Sequence, residues 1–288
     1  MAAPFEYRDV STGEWHLRVL LEKWSDDLWQ RLLSVIDQQS KNRRPRTVML
    51  DFVGEHNPDR LFLKTFHEPS GIDVVKDFFR DSKAFRFLRQ GLALSAAGFL
   101  VPAVIAAGEQ RSRRLLRRAF VLTLSVQGEP SPAFLTDRYI DRGLSLTAKR
   151  AALVALGRQI RRLHELGFIH GDLAASNIIV ASDTGGGVHF YLMDNDRTRQ
   201  YPPWLAQLLR KRNLAQLNRS PLPGITLQDR MRFFRAYSGR RHWGAAERRL
   251  LRWLENKARQ QRKELDAAEP FGSFRRLMSW KPRIEDNL

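Results

Sequence analysis

Between Ala151 and Asp194 the apolar period of the chain switches from helical to extended around one polar segment, and this order restricts the fold more than any other feature. Leu153, Leu156, Ile160 and Leu163 recur at helical spacing from Ala151 to Leu166, and Gly167 stops that helix. Ile178 to Ala181 and Val188 to Met193 are β-prone runs separated by Asp183-Thr184-Gly185-Gly186-Gly187, the pattern of a hairpin. Between helix and hairpin stands Ile169-His170-Gly171-Asp172-Leu173-Ala174-Ala175-Ser176-Asn177-Ile178-Ile179-Val180, and the second run ends in Tyr191-Leu192-Met193-Asp194.

A carboxylate, an amide five residues later and a second carboxylate after a strand are the groups that phosphoryl transfer needs. An acceptor hydroxyl must give up its proton, and the phosphates of ATP must be met by a divalent cation held on hard oxygens. Asp172 is the expected catalytic base, and Asn177 and Asp194 are the expected Mg²⁺ ligands. Asp196 competes with Asp194 for that role, although Asp194 directly follows the apolar strand. The combination is far more specific than a lone carboxylate. The bland alternative makes Asp172 a turn cap and Asn177 a backbone hydrogen bonder.

The first half reads as richer in strands. Trp15 to Leu21 is predicted as a first strand, Lys23 to Gln39 as a helix with Trp24, Leu28, Leu32, Leu33 and Ile36 on its apolar side, and Arg46 to Phe52 and Arg60 to Phe66 as strands around a turn at Gly54 to Asp59. Lys64 lies in the run Leu61-Phe62-Leu63-Lys64-Thr65-Phe66. An ammonium on a half-buried strand is costly unless it meets an anion, and the α and β phosphates of ATP would supply one. A snorkelling surface lysine is the alternative. Gly71 to Leu94 is predicted helical, Ala103 to Ala107 and Ala119 to Val126 as further strands, and Gln127-Gly128-Glu129-Pro130-Ser131-Pro132 as a hinge, with adenine expected against backbone groups of Leu124 to Gln127. Two lobes are therefore expected, residues 1–126 and 127–288.

A chain of 288 residues without cysteine has neither a disulfide framework nor a thiolate metal site, and such a length can bury a sizeable core. No run reaches membrane-spanning length and the start, MAAPFEYRDV, lacks the order of a secretion signal, so a cytoplasmic protein is expected. The formal net charge of +18 calls for an anionic partner. Basic residues crowd Arg111 to Arg118, Arg210 to Arg212 and the segment Glu247 to Glu264, where Leu250, Leu251, Trp253 and Leu254 alternate with cations. That segment could lie on an anionic membrane, or be a packed helix with a solvated basic face.

Taken together these segments resemble the bacterial lipopolysaccharide kinase family, the kinases of the inner-core sugars Kdo and heptose. The resemblance runs over nearly the full length. It is carried by Leu61 to Lys64, Ser82-Lys83-Ala84-Phe85-Arg86, Gly98 to Pro102, His170 to Asn177, Leu192-Met193-Asp194-Asn195-Asp196-Arg197, Arg212 to Leu217 and Asp229 to Tyr237. It implies an α+β, protein-kinase-like two-lobed fold with a β-rich N-lobe and a mainly helical C-lobe. It implies transfer of the γ-phosphate of ATP, with Mg²⁺, to a sugar hydroxyl of a lipid A-core glycolipid. The enzyme would be cytoplasmic and peripheral to the inner face of the cytoplasmic membrane, with no nucleic-acid partner.

The chain departs from related kinases in several places. No glycine-rich G-x-G-x-x-G precedes Lys64, and Gly71 to Leu94 offers Asp73, Asp77 and Asp81 but no glutamate to pair with it. Gly171 stands where protein kinases often carry arginine, Asp194-Asn195-Asp196 stands where D-F-G would be, and no A-P-E follows. A protein kinase remains an alternative because Asp172-Leu173-Ala174-Ala175-Ser176-Asn177 is similar to the tyrosine-kinase loop, and a non-catalytic pseudokinase or basic binding protein is a third reading. His164 and His170 are expected to brace structure, Gly185 to Gly187 to form a hairpin tip, and Trp204 to pack in the core or at a helix cap.

Overall fold

The computed structural model describes residues 6–40, 47–53, 58–66, 80–137, 143–183, 187–219, 222, 224–240 and 242–268. The chain divides into two compact units, Met1–Val126 together with Asp194–Arg197, and Gln127–Met193 together with Thr198–Leu288.

Unit one is a six-stranded antiparallel sheet in the order β1-β2-β5-β6-β4-β3, made of β1 (Tyr7–Thr12), β2 (Trp15–Leu20), β3 (Thr47–Val53), β4 (Pro58–Phe66), β5 (Val104–Ser112) and β6 (Leu115–Leu124). Alternation along the strands sends side chains to opposite faces. Leu17, Val19, Leu61, Leu63, Phe120 and Leu122 meet Leu28, Trp29, Leu32 and Ile36 of helix α1 (Asp26–Ser40). Phe66, Ala107, Ala119 and Val121 belong to a second cluster, with Ala84, Phe87 and Leu88 of helix α2 (Lys83–Ala96). The helix between β2 and β3 thus covers a sheet face that would otherwise be apolar and wet.

Four sequence expectations shift. Strand β1 was not expected, because an edge strand with mostly exposed side chains has no apolar period to reveal it. Helix α1 starts at Asp26, where the Ser25 hydroxyl accepts the Leu28 N–H at 3.2 Å. Helix α2 starts at Lys83 behind its cap Ser82, so Arg80 to Ser82 are not helical, and residues 71–79 of the expected helix lie outside the described residues. Strands β5 and β6 run on to Ser112 and from Leu115, joined by Arg113 and Arg114 at φ of 48° and 68°. That loop geometry normally advertises itself through glycine or asparagine.

In unit two, β7 (Glu129–Pro130) pairs with β9 (Ile178–Ser182), which pairs with β10 (Val188–Leu192), and β8 (Phe168–Ile169) pairs with β11 (Arg199–Gln200). The expected hinge thus contributes a short strand from its middle. Helices α3 (Leu146–Glu165), α4 (Pro203–Leu217), α5 (Leu227–Ser238) and α6 (Ala245–Ala268) make up most of the remainder. Gly167 follows α3 at φ 84°, and a Cβ there would fall 2.2 Å from the Tyr201 carbonyl oxygen, so the turn that delivers β8 demands glycine. Helix α6 buries Leu254 and Ala258 and leaves Arg248, Arg249, Arg252 and Arg259 exposed. Trp204 is 69% exposed, against the expected packing. It sits two residues from the buried Ala206 on α4, which places it on the opposite face of that helix.

Candidate active site

The loop that carries Asp172 is held by side chains of α4. Asn213 Oδ1 accepts the His170 N–H at 3.0 Å, Gln216 Nε2 donates to the Gly171 carbonyl at 2.8 Å, and Gln216 Oε1 accepts the Leu173 N–H at 3.2 Å. Asn213 Nδ2 donates to Gln216 Oε1 at 3.0 Å, tying the two amides into one clamp. Backbone groups on both sides of Asp172 are therefore fixed, while its own side chain is partly buried. Among the described residues none donates a hydrogen bond to the Asp172 carboxylate.

Asn177 Nδ2 donates to the Asp172 carbonyl at 3.0 Å, which orients the amide and leaves Oδ1 as an acceptor. The Met193 N–H donates to the Asn177 carbonyl at 2.9 Å and His170 Nε2 donates to the Met193 carbonyl at 2.8 Å, so the residue before Asp194 is pinned at both polar groups. The Ser131 hydroxyl donates to the Ala175 carbonyl at 2.8 Å.

Beneath the loop lies buried His164. It meets the Tyr237 hydroxyl through Nδ1 at 3.0 Å and Asn213 Oδ1 through Nε2 at 3.2 Å. Because that amide oxygen only accepts, Nε2 carries the proton and the Tyr237 hydroxyl donates to Nδ1. Burial lowers the His164 pKa to about 4, against the raising effect of Asn213, so the ring is neutral. Burial also pushes the Tyr237 phenol up to about 12, which keeps its donor proton in place.

Lys64 and Asp194 belong to unit one. Lys64 sits on β4 opposite Val121 of β6, and its ammonium lies 5.4 Å from the Phe66 ring centroid and pairs with the Asp194 carboxylate. Asp194 adopts φ 57°, a left-handed backbone that aspartate tolerates better than most side chains. The missing glutamate partner of Lys64 is thus replaced by a direct aspartate. At the start of α2, Glu109 of β5 accepts the Ser82 N–H at 3.3 Å and pairs with Arg111 at 2.7 Å. Burial, and then the Asp194 charge, raise the Asp196 carboxyl above its ordinary value, opposed by Lys64 and Arg197. Of the stretch expected to meet adenine, the N–H groups of Leu124 and Ser125 are already donated to the carbonyls of Ala103 and Arg60.

Unit two also contains an apolar cavity of about 460 Å³. Leu153, Leu214, Leu217, Met231, Phe234 and Leu251 line it, Arg230, Arg252 and Arg259 also border it, and Ala175 of the loop that carries Asp172 forms part of its wall. Among the described residues, no helix is long and apolar enough to cross a membrane.

Sequence reasoning singled out Asp172, Asn177, Lys64 and Asp194, and passed over Asn213 and Gln216, whose side chains hold the loop around Asp172. Their signal was weak: two amides at i and i+3 in a helix of otherwise mixed character, marked only as part of a family-like segment.

The sequence model of the lipopolysaccharide kinase (Kdo/WaaP) family matches residues 26–237. The lipopolysaccharide core heptose(I) kinase WaaP of Pseudomonas aeruginosa is 27% identical over 173 residues, which are 57% of this chain and 63% of that protein. The alignment thus spans less than two thirds of that relative's length. Among solved structures, WaaP in complex with acyl carrier protein superposes with a TM-score of 0.55 at 20% identity, over 81% of this chain and 96% of that one. A double mutant of the Mycobacterium tuberculosis PknI kinase domain gives a TM-score of 0.35 at 16% identity, over 68% of each chain. The fold is a protein-kinase-like, two-lobed α+β fold.

Proposed function

Because this chain belongs to the lipopolysaccharide kinase (Kdo/WaaP) family, we propose that it transfers the γ-phosphoryl group of ATP to a sugar hydroxyl, of Kdo or heptose, in the lipopolysaccharide inner core. The observation that carries the reading is the clamped loop: a carboxylate with no internal donor among the described residues, on a backbone fixed from both sides by Asn213 and Gln216. Fixing the base in place lowers the entropic part of the barrier before the acceptor arrives.

In this reaction Asp172 orients the acceptor hydroxyl and takes its proton. Lys64 faces the nucleotide phosphates with its ammonium. The donor set suits Mg²⁺, which keeps several waters and needs only one or two protein oxygens beside phosphate. Asp194 would supply a carboxylate and Asn177 its Oδ1. Bound Mg²⁺ would neutralise charge on the transferring phosphate. Asp196, its carboxyl raised by burial and by Asp194, is the poorer ligand.

The acceptor is a glycolipid, so the enzyme works peripherally at the inner face of the cytoplasmic membrane. The exposed basic residues of α6, with Trp253 at 37% exposure, supply cations and an amphipathic ring for an anionic surface. The apolar cavity beside Ala175 favours an acyl chain as a second ligand, from the lipid acceptor or from an acyl carrier protein such as the one in the solved WaaP complex.

The test is incorporation of label from ATP and Mg²⁺ into purified lipid A-core acceptors by wild type and Asp172→Asn. Label on lipid that falls by about 10²-fold or more in the variant, with ATP affinity retained, is the expected result. Label on protein would instead promote a protein kinase. No transfer by the wild type to any Kdo- or heptose-containing acceptor would refute the assignment.

A further inference from the structure

Away from the catalytic loop, the packed helices α3 and α5 gather five arginines around a shallow concavity of about 340 Å³. Arg158 and Arg161 come from α3, Arg232 and Arg235 from α5, and Arg240 from just beyond its end. Gly157 brings the two helices together, since a Cβ there would lie 2.6 Å from the Phe233 carbonyl oxygen, and Gly239 leaves room over which the Arg161 guanidinium lies. The other lining side chains are small or apolar, and among the described residues none is a carboxylate.

Three of the five reach carboxylates at the margin: Arg161 meets Glu165 at 2.6 Å, Arg232 meets Asp229 at 2.9 Å and Arg240 meets Glu247 at 3.3 Å. Asp229 is shared with Lys149. Among the described residues neither Arg158 nor Arg235 has a carboxylate within salt-bridge distance, and Arg235 rests 5.9 Å from the Trp243 ring centroid. Among the described residues, at least two guanidinium charges therefore have no carboxylate partner on a concave surface, where their repulsion is relieved when an anion enters.

The chemistry of the cations selects the anion. All five are arginine, whose planar fork matches the oxygens of phosphate, and a phosphomonoester carries about −1.5 to −2 at neutral pH, where a carboxylate carries only one charge. We propose that this concavity is a binding site for a phosphomonoester or pyrophosphate group, separate from the loop 169–180. The site does not depend on the proposed reaction.

The experiment has two arms at about 0.15 M salt, where diffuse attraction is screened beyond about 8 Å. Calorimetric titration with inorganic pyrophosphate reads a soluble ligand. Flotation with phosphatidylcholine vesicles containing phosphatidic acid reads a headgroup. The full chain is compared with Arg158→Gln/Arg235→Gln and with Arg8→Gln/Arg150→Gln, which removes the same charge from exposed positions outside the concavity. The first pair should weaken binding about tenfold or more in at least one arm, and the control pair by less than about twofold. A loss confined to one arm identifies the source of the phosphate and supports the site. Equal weakening by both pairs, or no binding by the wild type in either arm, would overturn it.

Discussion

Acidification should loosen the brace under the loop that carries Asp172 through one residue, His164. Burial, opposed by Asn213 and reinforced by the Arg210 charge, lowers its pKa from 6.5 to about 4. Between those two values the unfolded chain binds a proton that the folded chain refuses, so stability rises with pH across the window and is lost as pH falls through it. At about 1.4 kcal/mol per pH unit the loss reaches about 3 kcal/mol near pH 4. That is a substantial share of a typical folding free energy of about 5–15 kcal/mol. Urea denaturation of wild type and His164→Asn at a series of pH values would isolate the effect. Asp229, held below its ordinary 3.8, contributes stability that is lost only at lower pH, and Asp196, raised above it, contributes with the opposite sign. Both are common to the two proteins and cancel in the difference. The wild-type stability should fall by about 3 kcal/mol more than that of the variant between pH 6.5 and 4. Parallel curves across that window would refute the argument that a buried neutral imidazole anchors Asn213.

Lys149 is fully buried against Asp229 at 3.0 Å, and although burial pushes that carboxyl up, the Thr226 N–H and hydroxyl and the Lys149 ammonium hold it below its ordinary value. Lys149→Met should therefore cost about 2 kcal/mol in urea unfolding by leaving the buried carboxylate to Arg232 and Thr226 alone, and adding Asp229→Asn should restore part of that. Gly157→Ala should destabilise by about 1–2 kcal/mol, because overpacking against α5 exceeds the gain of about 1 kcal/mol in helix propensity. A rise in melting temperature would contradict the close approach of α3 and α5. Gln216→Ala releases the Gly171 carbonyl and the Leu173 N–H, and should lower kcat by about 10²-fold with a much smaller change in the ATP KM. An effect confined to KM would remove Gln216 from the positioning of Asp172.

Much of this protein was legible as pattern. Periodicity placed α1, α3, β4, β9 and β10 to within a few residues, because each buries one continuous apolar face. Glycine at 167 marked the end of α3 because only that residue tolerates both φ 84° and the Tyr201 carbonyl. The spacing of Asp172, Asn177 and Asp194 suggested a phosphoryl-transfer site, because a short loop and the strand after it put those groups at determined places along the chain. Strand β1 and the Arg113–Arg114 turn escaped, since an exposed edge strand and a glycine-free hairpin loop obey geometry that the side chains do not announce.

What only the folded chain decided are relations between residues far apart in sequence. Lys64 and Asp194, 130 positions apart, pair with no glutamate from α2 between them, and Asn213 and Gln216 reach back 43 to 45 positions to hold the loop around Asp172. Local sequence encodes which backbone conformation is cheap and which face is apolar. It carries no record of which hydrogen-bond donor will meet which acceptor once loops close and water is expelled, and in this protein such meetings set Lys64 beside Asp194 and, within the other unit, fix the loop around Asp172.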